Sequence, residues 1–354
     1  MSKRIIALLL ALVMVFALCA CGNGGNGGNS AGTEDVGDET YTIRIACENS
    51  DSYPATLGLY QMEKYVESHT NGKVQVEVCA SGQLGGEEET LEQVAQGNLE
   101  MAVASFAPVV SYVPEFEVMD IPFVYNSYTE AWMVLDSYVG TNLLDKMEAQ
   151  GLKGMAYMEN GMRQVTSNVS AINSIADFKG VKLRTMQNNN HMASFSALGA
   201  NPTPVAFSEL YISLSQKVVD AQENPIANVT DKKLYEVQKY LSLTNHIYDA
   251  MPLVCNLEFF NSLPQAYQKV VQAGAIYAQE FSRFCNLERE DLILADLADK
   301  YGMQINEVSA DARAEMAKVA QPAVIKLVAK DIGQDAVDQY MNDVKDVLAQ
   351  ISKF

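Results

Sequence analysis

Residues 264–300 hold the longest uninterrupted helical pattern in the chain, with Gly274 as their only glycine. Thirty-seven residues rising 1.5 Å each would reach about 55 Å, further than one small domain is wide. A helix of that length predicts more than one lobe, with the helix running across both. The 354 residues, 48% of them hydrophobic, suffice for one large core or two medium ones.

The rest of the pattern alternates strands and helices. YTIRIAC (41–47) and KVQVEVC (73–79) alternate apolar and polar residues, the period of a half-buried strand. Between them Leu59, Met62 and Val66 recur at helical spacing within 54–70, and Asn71-Gly72 supplies a stop. This order predicts a right-handed parallel crossover. Three glutamates open the helix of GGEEETLEQVAQGN (85–98), where the helix dipole favours them, and a strand follows at 99–105. Ser127 and Glu130 form a capping-box pair before a helix that runs toward Gln150 and ends at Gly151. Strands are then expected at 163–168, 179–186 and 217–222, with short helices at 188–198 and 207–216. A strand near 250–260, the long helix, a strand at 303–308 and amphipathic helices complete the chain. The expected class is α/β with two lobes: lobe one at 41–160 and 250–289, lobe two at 161–249 and 290–354. A cleft that closes by hinge motion goes with that layout.

The first forty residues are of another kind. Residues 1–20 carry Lys3 and Arg4, an apolar run from Ile5 to Leu18 and then Ala20, which reads as an export signal too short to span a membrane. Leu18-Cys19-Ala20-Cys21 matches a bacterial lipobox, although Cys19 is an unusual middle residue. Lipidation is therefore expected at Cys21, with plain cleavage after Ala20 as the alternative. Residues 21–40 begin with five glycines among 22–28 and read as a flexible tether. With no preceding strand and no lysine, they do not form a phosphate loop. An extracytoplasmic protein held to its membrane by lipid is the expectation.

Charge and motifs narrow the function. The net charge of −19 becomes two units more negative, −21, once Lys3 and Arg4 leave with the signal, and such a surface repels nucleic acid. Cys47, Cys79, Cys255 and Cys285 lack CxxC spacing, and only His69, His191 and His246 are present, so no metal site or other cofactor is expected. Four buried thiols are the reading favoured, with one disulfide left open. The chain has no GxSxG, HExxH or Walker loop and no Cys-His pair close in sequence, and no catalytic residue is nominated. An exported hydrolase whose site assembles only in space is the alternative from a different class. Arginine is scarce, seven against eighteen lysines, so positions that need a planar fork should stand out. Arg163 and Arg184 fall at predicted strand ends, where α/β sheets dock ligands. For Arg184 a salt bridge to one of the many acids is the alternative.

Seven segments, SGQLGGEEETLEQV (81–94), PEFEVMDIPFVY (114–125), GMRQVTSN (161–168), DFKGVKLR (177–184), ALGANPTPVAFSEL (197–210), VVDAQENP (218–225) and YEVQKYLSLTNH (235–246), together resemble the solute-binding proteins of TRAP transporters, the tripartite ATP-independent periplasmic systems for organic acids. The resemblance covers about 41–350. It implies a two-lobed periplasmic-binding-protein-like fold that closes on an organic acid and hands it to a membrane permease, with no reaction catalysed. It also implies that Arg184, in the KxR motif, bridges the ligand carboxylate with both arms of its fork. Arg163, in the GxR segment, and Asn224, in QENP, would add a second cation and an amide, and Phe207 would pack against the ligand. Ala221 departs from the glycine common at its position. Glu48, in CENSDSYP, lies at a strand end where a ligand contact commonly falls; a solvated loop carboxylate is its other reading. Asn188, Asn189, Asn190 and His191 would offer further donors and acceptors. If Glu48 faces the cleft, it repels a second carboxylate and accepts from hydroxyls, which favours a hexuronate or related sugar acid over a C4-dicarboxylate or an aromatic or oxo acid. Ser105 stands where the sialic-acid branch has glutamate, which argues against that ligand.

Overall fold

The computed structural model describes residues 39–350; the expected signal sequence, Cys21 and nearly all of the tether lie outside the described residues. The strands are β1 (Tyr41–Ala46), β2 (Val74–Cys79), β3 (Met101–Val103), β4 (Leu152–Ser167), β5 (Lys182–Thr185), β6 (Asn201–Pro204), β7 (Ala221–Pro225), β8 (Tyr240–Leu243), β9 (Tyr248–Asn256) and β10 (Gln304–Glu307). The longer helices, with one short one that borders the site, are α1 (Pro54–His69), α2 (Glu87–Ala95), α3 (Tyr128–Leu135), α4 (Tyr138–Lys146), α5 (Asn189–Ala197), α6 (Ile226–Asp231), α7 (Gln265–Asp299), α8 (Ala310–Ile332) and α9 (Gln334–Leu348).

Strand β4 organises both lobes. Its first part, Leu152 to Met162, pairs antiparallel with β9, which continues through β3 and β1 to β2. Its last part, Arg163 to Ser167, pairs with β7, which leads through β5 to β6, and also with β8. The register slips between Glu159 and Gly161, where one sheet gives way to the other. Gly161 has φ 126, a backbone region that side chains rarely enter, and a Cβ there would sit 3.2 Å from the Pro225 Cβ. The seam between the lobes thus requires glycine.

The parallel β1–α1–β2 unit forms as its alternation predicts. Helix α7 is 35 residues long, about 52 Å, as the pattern at 264–300 predicts. Its first half buries Val271, Ala275 and Ala278 with Leu59, Met62 and Val66 of α1, and Leu297 near its end belongs to a cluster with Leu210, Val229 and Met303 in lobe two. The remaining lobe-two core surrounds Phe178, Leu183 and Phe195.

Three expectations change. The helix expected over 127–150 breaks at Asp136 and Ser137, and the Ser137 hydroxyl accepts from Val139 N to start α4. The strand expected at 163–168 begins at Leu152, because all but one of its sixteen residues are buried and no polar alternation marks the extra length. The assignment of 290–354 wholly to lobe two does not hold for its end. Met316 and Ala320 of α8 pack into lobe two, but Val324 and Val328, with Val337, Tyr340 and Val344 of α9, join the lobe-one cluster around Phe106, Phe116 and Val134. Helix α8 is therefore another crossing. None of the described helices is long and apolar enough to cross a membrane.

Where α1 crosses α7, a Cβ on Gly58 would lie 2.5 Å from the Ala278 carbonyl and 2.8 Å from the Met158 methyl. The first neighbour is helix backbone and cannot yield cheaply. Gly58→Ala is expected to destabilise the protein by about 1–3 kcal/mol despite its better helix propensity. Urea unfolding would report this, and an unchanged midpoint would refute the close crossing.

Candidate functional site

A cavity of about 390 Å³ opens between the lobes at the ends of the strands. Lobe one contributes Glu48, after β1, Glu87, at the first turn of α2, and Ser105, after β3. Lobe two contributes Arg184 on β5, Phe207 and Asn224, the last on β7. Asn160 at the seam and Asn228 on α6 complete the polar lining.

Arg184 is 1% exposed. Its Nε donates to the Val205 carbonyl at 2.8 Å, which fixes the plane of the guanidinium, while Nη1 is buried with no hydrogen-bond partner. Burial lowers its pKa to about 10, so it stays charged at neutral pH. A buried cation with an open donor is costly unless an anion completes it.

Across the lobe boundary, Glu48 presents the complementary vacancy. It is 8% exposed; Oε2 accepts from the Glu87 backbone N–H at 3.2 Å, and Oε1 is buried without a partner. Burial raises its pKa, partly offset by Lys232. Glu87 Oε1 accepts from both the backbone N–H and the hydroxyl of Ser105 at 2.8 Å. Burial and the neighbouring Glu48 push the Glu87 carboxyl up to about 7. The site thus holds an unsatisfied cationic donor on one lobe and an unsatisfied carboxylate acceptor on the other.

Behind the cavity lies a second network, centred on an arginine whose donors are all matched. Arg163 is completely buried, donates from Nε to Glu223 and from Nη1 to Asp249 at 2.8 Å, and gives Nη2 to Glu223 Oε1 and Asn224 Oδ1 at 2.9 and 3.2 Å. It does not line the cavity. The expectation of a second cation on the ligand is therefore corrected: the donors of Arg163 are spent on Glu223, Asp249 and Asn224, and it holds Asn224 at the wall. Asn188 and His191 are corrected likewise, since neither lines the cavity. Asn188 caps α5 by accepting from the N–H groups of Asn190 and His191, and its amide donates to Asp120 at 2.8 Å. His191 donates from Nε2 to Asp120 at 3.2 Å and keeps Nδ1 3.8 Å from Glu223. Burial opposes its charge, but these carboxylates prevail and raise its pKa to about 9. His246 is depressed by burial and stays neutral; its Nε2 donates to Glu223 at 3.1 Å and its Nδ1 accepts from Thr244.

Asn160, Asn228 and Glu87 were not nominated from sequence. Asn160 sits in MENGM without any motif, and Glu87 carried only the signature of a helix start. Their roles come from long-range contacts: Asn228 donates to Asn160 Oδ1 at 3.1 Å, Asn160 to Asp249 at 2.8 Å, and Asn49 of lobe one to Asn228 at 3.0 Å. Cys47, Cys79, Cys255 and Cys285 are free, buried thiols, so the disulfide left open by the sequence does not form among them.

Residues 45–331 match the model of bacterial extracellular solute-binding proteins, family 7. The chain belongs to this family. The sugar acid binding protein DctPAm of Advenella mimigardefordensis, solved with galactonate, is 32% identical and superposes with a TM-score of 0.83 over 87% of this chain and 99% of that one. A TRAP periplasmic solute-binding protein of Polaromonas sp JS666, bound to D-erythronate, is 34% identical with a TM-score of 0.80 over 85% and 98%. The C4-dicarboxylate-binding periplasmic protein DctP of Rhodobacter capsulatus is 31% identical over 302 residues, 84% of this chain and 90% of that one. The chain is thus a TRAP solute-binding protein, a receptor and not an enzyme, and the hydrolase alternative falls.

The charged His191 gives this receptor a pH signature. Its folded pKa of about 9 lies above the ordinary 6.5, so unfolding releases a proton between those values. The stabilisation is complete below about pH 6.5 and is lost as pH rises through about 9, at no more than about 1.4 kcal/mol per pH unit. Urea unfolding of the ligand-free protein from pH 6.5 to 9.5 should show this fall, and His191→Gln should flatten it. Equal slopes in the two proteins would mean that His191 is neutral in the fold.

Proposed function

We propose that this protein is the extracytoplasmic receptor of a TRAP transporter for a hexuronate or a related sugar acid, which it delivers to the membrane permease, and that lipidation at Cys21 anchors it. The observation that carries this reading is the pair of buried vacancies in one cavity: the Arg184 Nη1 donor and the Glu48 Oε1 acceptor. A carboxylate completes the first, and a hydroxyl completes the second. The amides of the asparagines and the Ser105 hydroxyl surround the space between them, while Phe207 offers an apolar face. A second carboxylate at Glu48 would meet like charge. The volume of about 390 Å³ suits a small solute. Galactonate and D-erythronate in two similar receptors support a polyhydroxylated acid, and the C4-dicarboxylate named for the Rhodobacter relative is the second reading.

The lobes close around the ligand in this reading. Arg184 and Glu48 lie on different lobes, and Gln187 of lobe two donates to Glu88 of lobe one at 3.2 Å across the cavity lining. Water exclusion on closure strengthens both end contacts.

A calorimetric panel of galacturonate, glucuronate, galactonate, succinate and malate tests the ligand class. A sugar acid is expected to bind at least about tenfold more tightly than either dicarboxylate, a gap of about 1.4 kcal/mol. Binding of a dicarboxylate alone would overturn the sugar-acid reading.

Arg184→Lys keeps the charge and loses the fork. Arg184→Ala should lower affinity for the best ligand of that panel by about 2–5 kcal/mol, and Arg184→Lys should also weaken it, by less. Unchanged affinity in Arg184→Lys would remove Arg184 from the carboxylate site.

A further inference from the structure

The cavity holds more negative charge than a receptor for an anion needs. Glu48, Glu87, Glu88, Glu89 and Glu209 all line it, and Arg184 is the one arginine among its lining residues. Glu88 and Glu89 are exposed, so solvent screens them. Glu48 and Glu87 differ, because they are bonded to each other's surroundings and face the same space. The Glu87 N–H, at the first turn of the nine-residue α2, donates to Glu48 Oε2. Ser105 gives both of its donors to one oxygen of Glu87. The second oxygen of each carboxylate is then left for a proton or for the ligand, and on Glu48 that oxygen is buried and unpartnered.

We propose that Glu87 is a specificity residue which, paired with Glu48, forms a proton-sharing wall that admits hydroxyl donors when ionised and accommodates a second ligand carboxylate only after taking up a proton. The inference rests on the sugar-acid reading for its choice of preferred ligand, but the wall itself is independent of it. Two carboxylates in one partly buried site resist full ionisation. Glu48 feels Lys232, Arg184 and Glu89, and Glu87 feels Glu48, Asp249 and Arg184. Lys232 also stands 4.6 Å over the Phe207 ring, and Asp249 is occupied by Arg163 and Asn160. Arg184 is the cation whose charge a bound carboxylate cancels. Occupying Arg184 therefore removes support for the ionised pair unless ligand hydroxyls donate to it. A hydroxylated monocarboxylate supplies those donors and drives the shared proton off. Succinate, a dicarboxylate with no hydroxyl, supplies none and holds the proton on, as the donor between two carboxylates.

The two ligand classes should then differ in the sign of proton linkage. Calorimetry of the full receptor at pH 6.5, in two buffers of different ionisation enthalpy, is expected to record proton release with galactonate and proton uptake with succinate. The ratio of succinate to galactonate dissociation constants should fall about tenfold or more from pH 8 to pH 5.5. Glu87→Gln, which keeps an acceptor for Ser105, should lower the ratio at pH 8 and remove most of its pH dependence; Glu48→Gln should act in the same direction. Linkage of the same sign for both ligands, or an unchanged ratio in Glu87→Gln, would overturn the proposal. If galactonate and the uronates fail to bind at every pH while succinate binds with proton uptake that Glu87→Gln abolishes, the wall stands and the sugar-acid reading falls.

Discussion

The site depends on Arg163, which touches no ligand space. Its guanidinium joins Glu223 on β7 to Asp249 on β9, so one buried cation holds strands from both lobes at the seam where β4 passes between sheets. Charges taken this far out of water repay their desolvation only when every donor is matched, and here Nε, Nη1 and Nη2 all have carboxylate or amide partners. Removing one partner would leave a buried charge uncompensated, at a cost of about 3–5 kcal/mol. The network extends through Asp249 to Asn160 and Asn228, and through Glu223 to His246 and His191. The wall of the cavity is therefore fixed before a solute arrives, and binding need not organise it.

Beside the matched donors of Arg163, Arg184 stands out. Both arginines are buried and both lie on strands, yet one has a carboxylate at each side and the other has a single carbonyl and an open Nη1. The difference explains how so acidic a chain can receive an anion. Most of its negative charge lies at the surface and is screened beyond about 8 Å in physiological salt. The contact between a dehydrated guanidinium and a carboxylate acts over a few ångströms, where that screening is weak. In the reading proposed for this receptor, the acids that do reach the cavity act on the other end of the solute and discriminate hydroxyl from carboxylate.

Much of the scaffold was legible because it follows local rules. The β1–α1–β2 crossover and the 35-residue α7 appear where alternation and helical spacing place them. Arg184, Asn224, Phe207 and Glu48 line one cavity. Arg163, Asn188 and His191 carry equally polar signatures but lie behind it, since a motif marks a residue type and position and not which of two layers the side chain joins. Strand β4 escaped because a strand buried on both faces loses its alternation. The packing of α9 and the end of α8 on lobe one instead of lobe two was not legible, because amphipathic periodicity identifies an apolar face without naming what covers it.

Sequence alone determined most of the element types, the long helix that demands two lobes, the family and the scarcity of arginine that singled out Arg163 and Arg184. These are properties of spacing and residue chemistry along the chain. Tertiary structure decided which arginine is left unpaired, that Glu48 and Glu87 meet although 39 positions apart, and that Asn160 and Asn228 close the wall. The physical reason is that satisfaction of a buried polar group depends on partners brought by other strands, so a vacancy for a ligand exists only once every competing partner has its place.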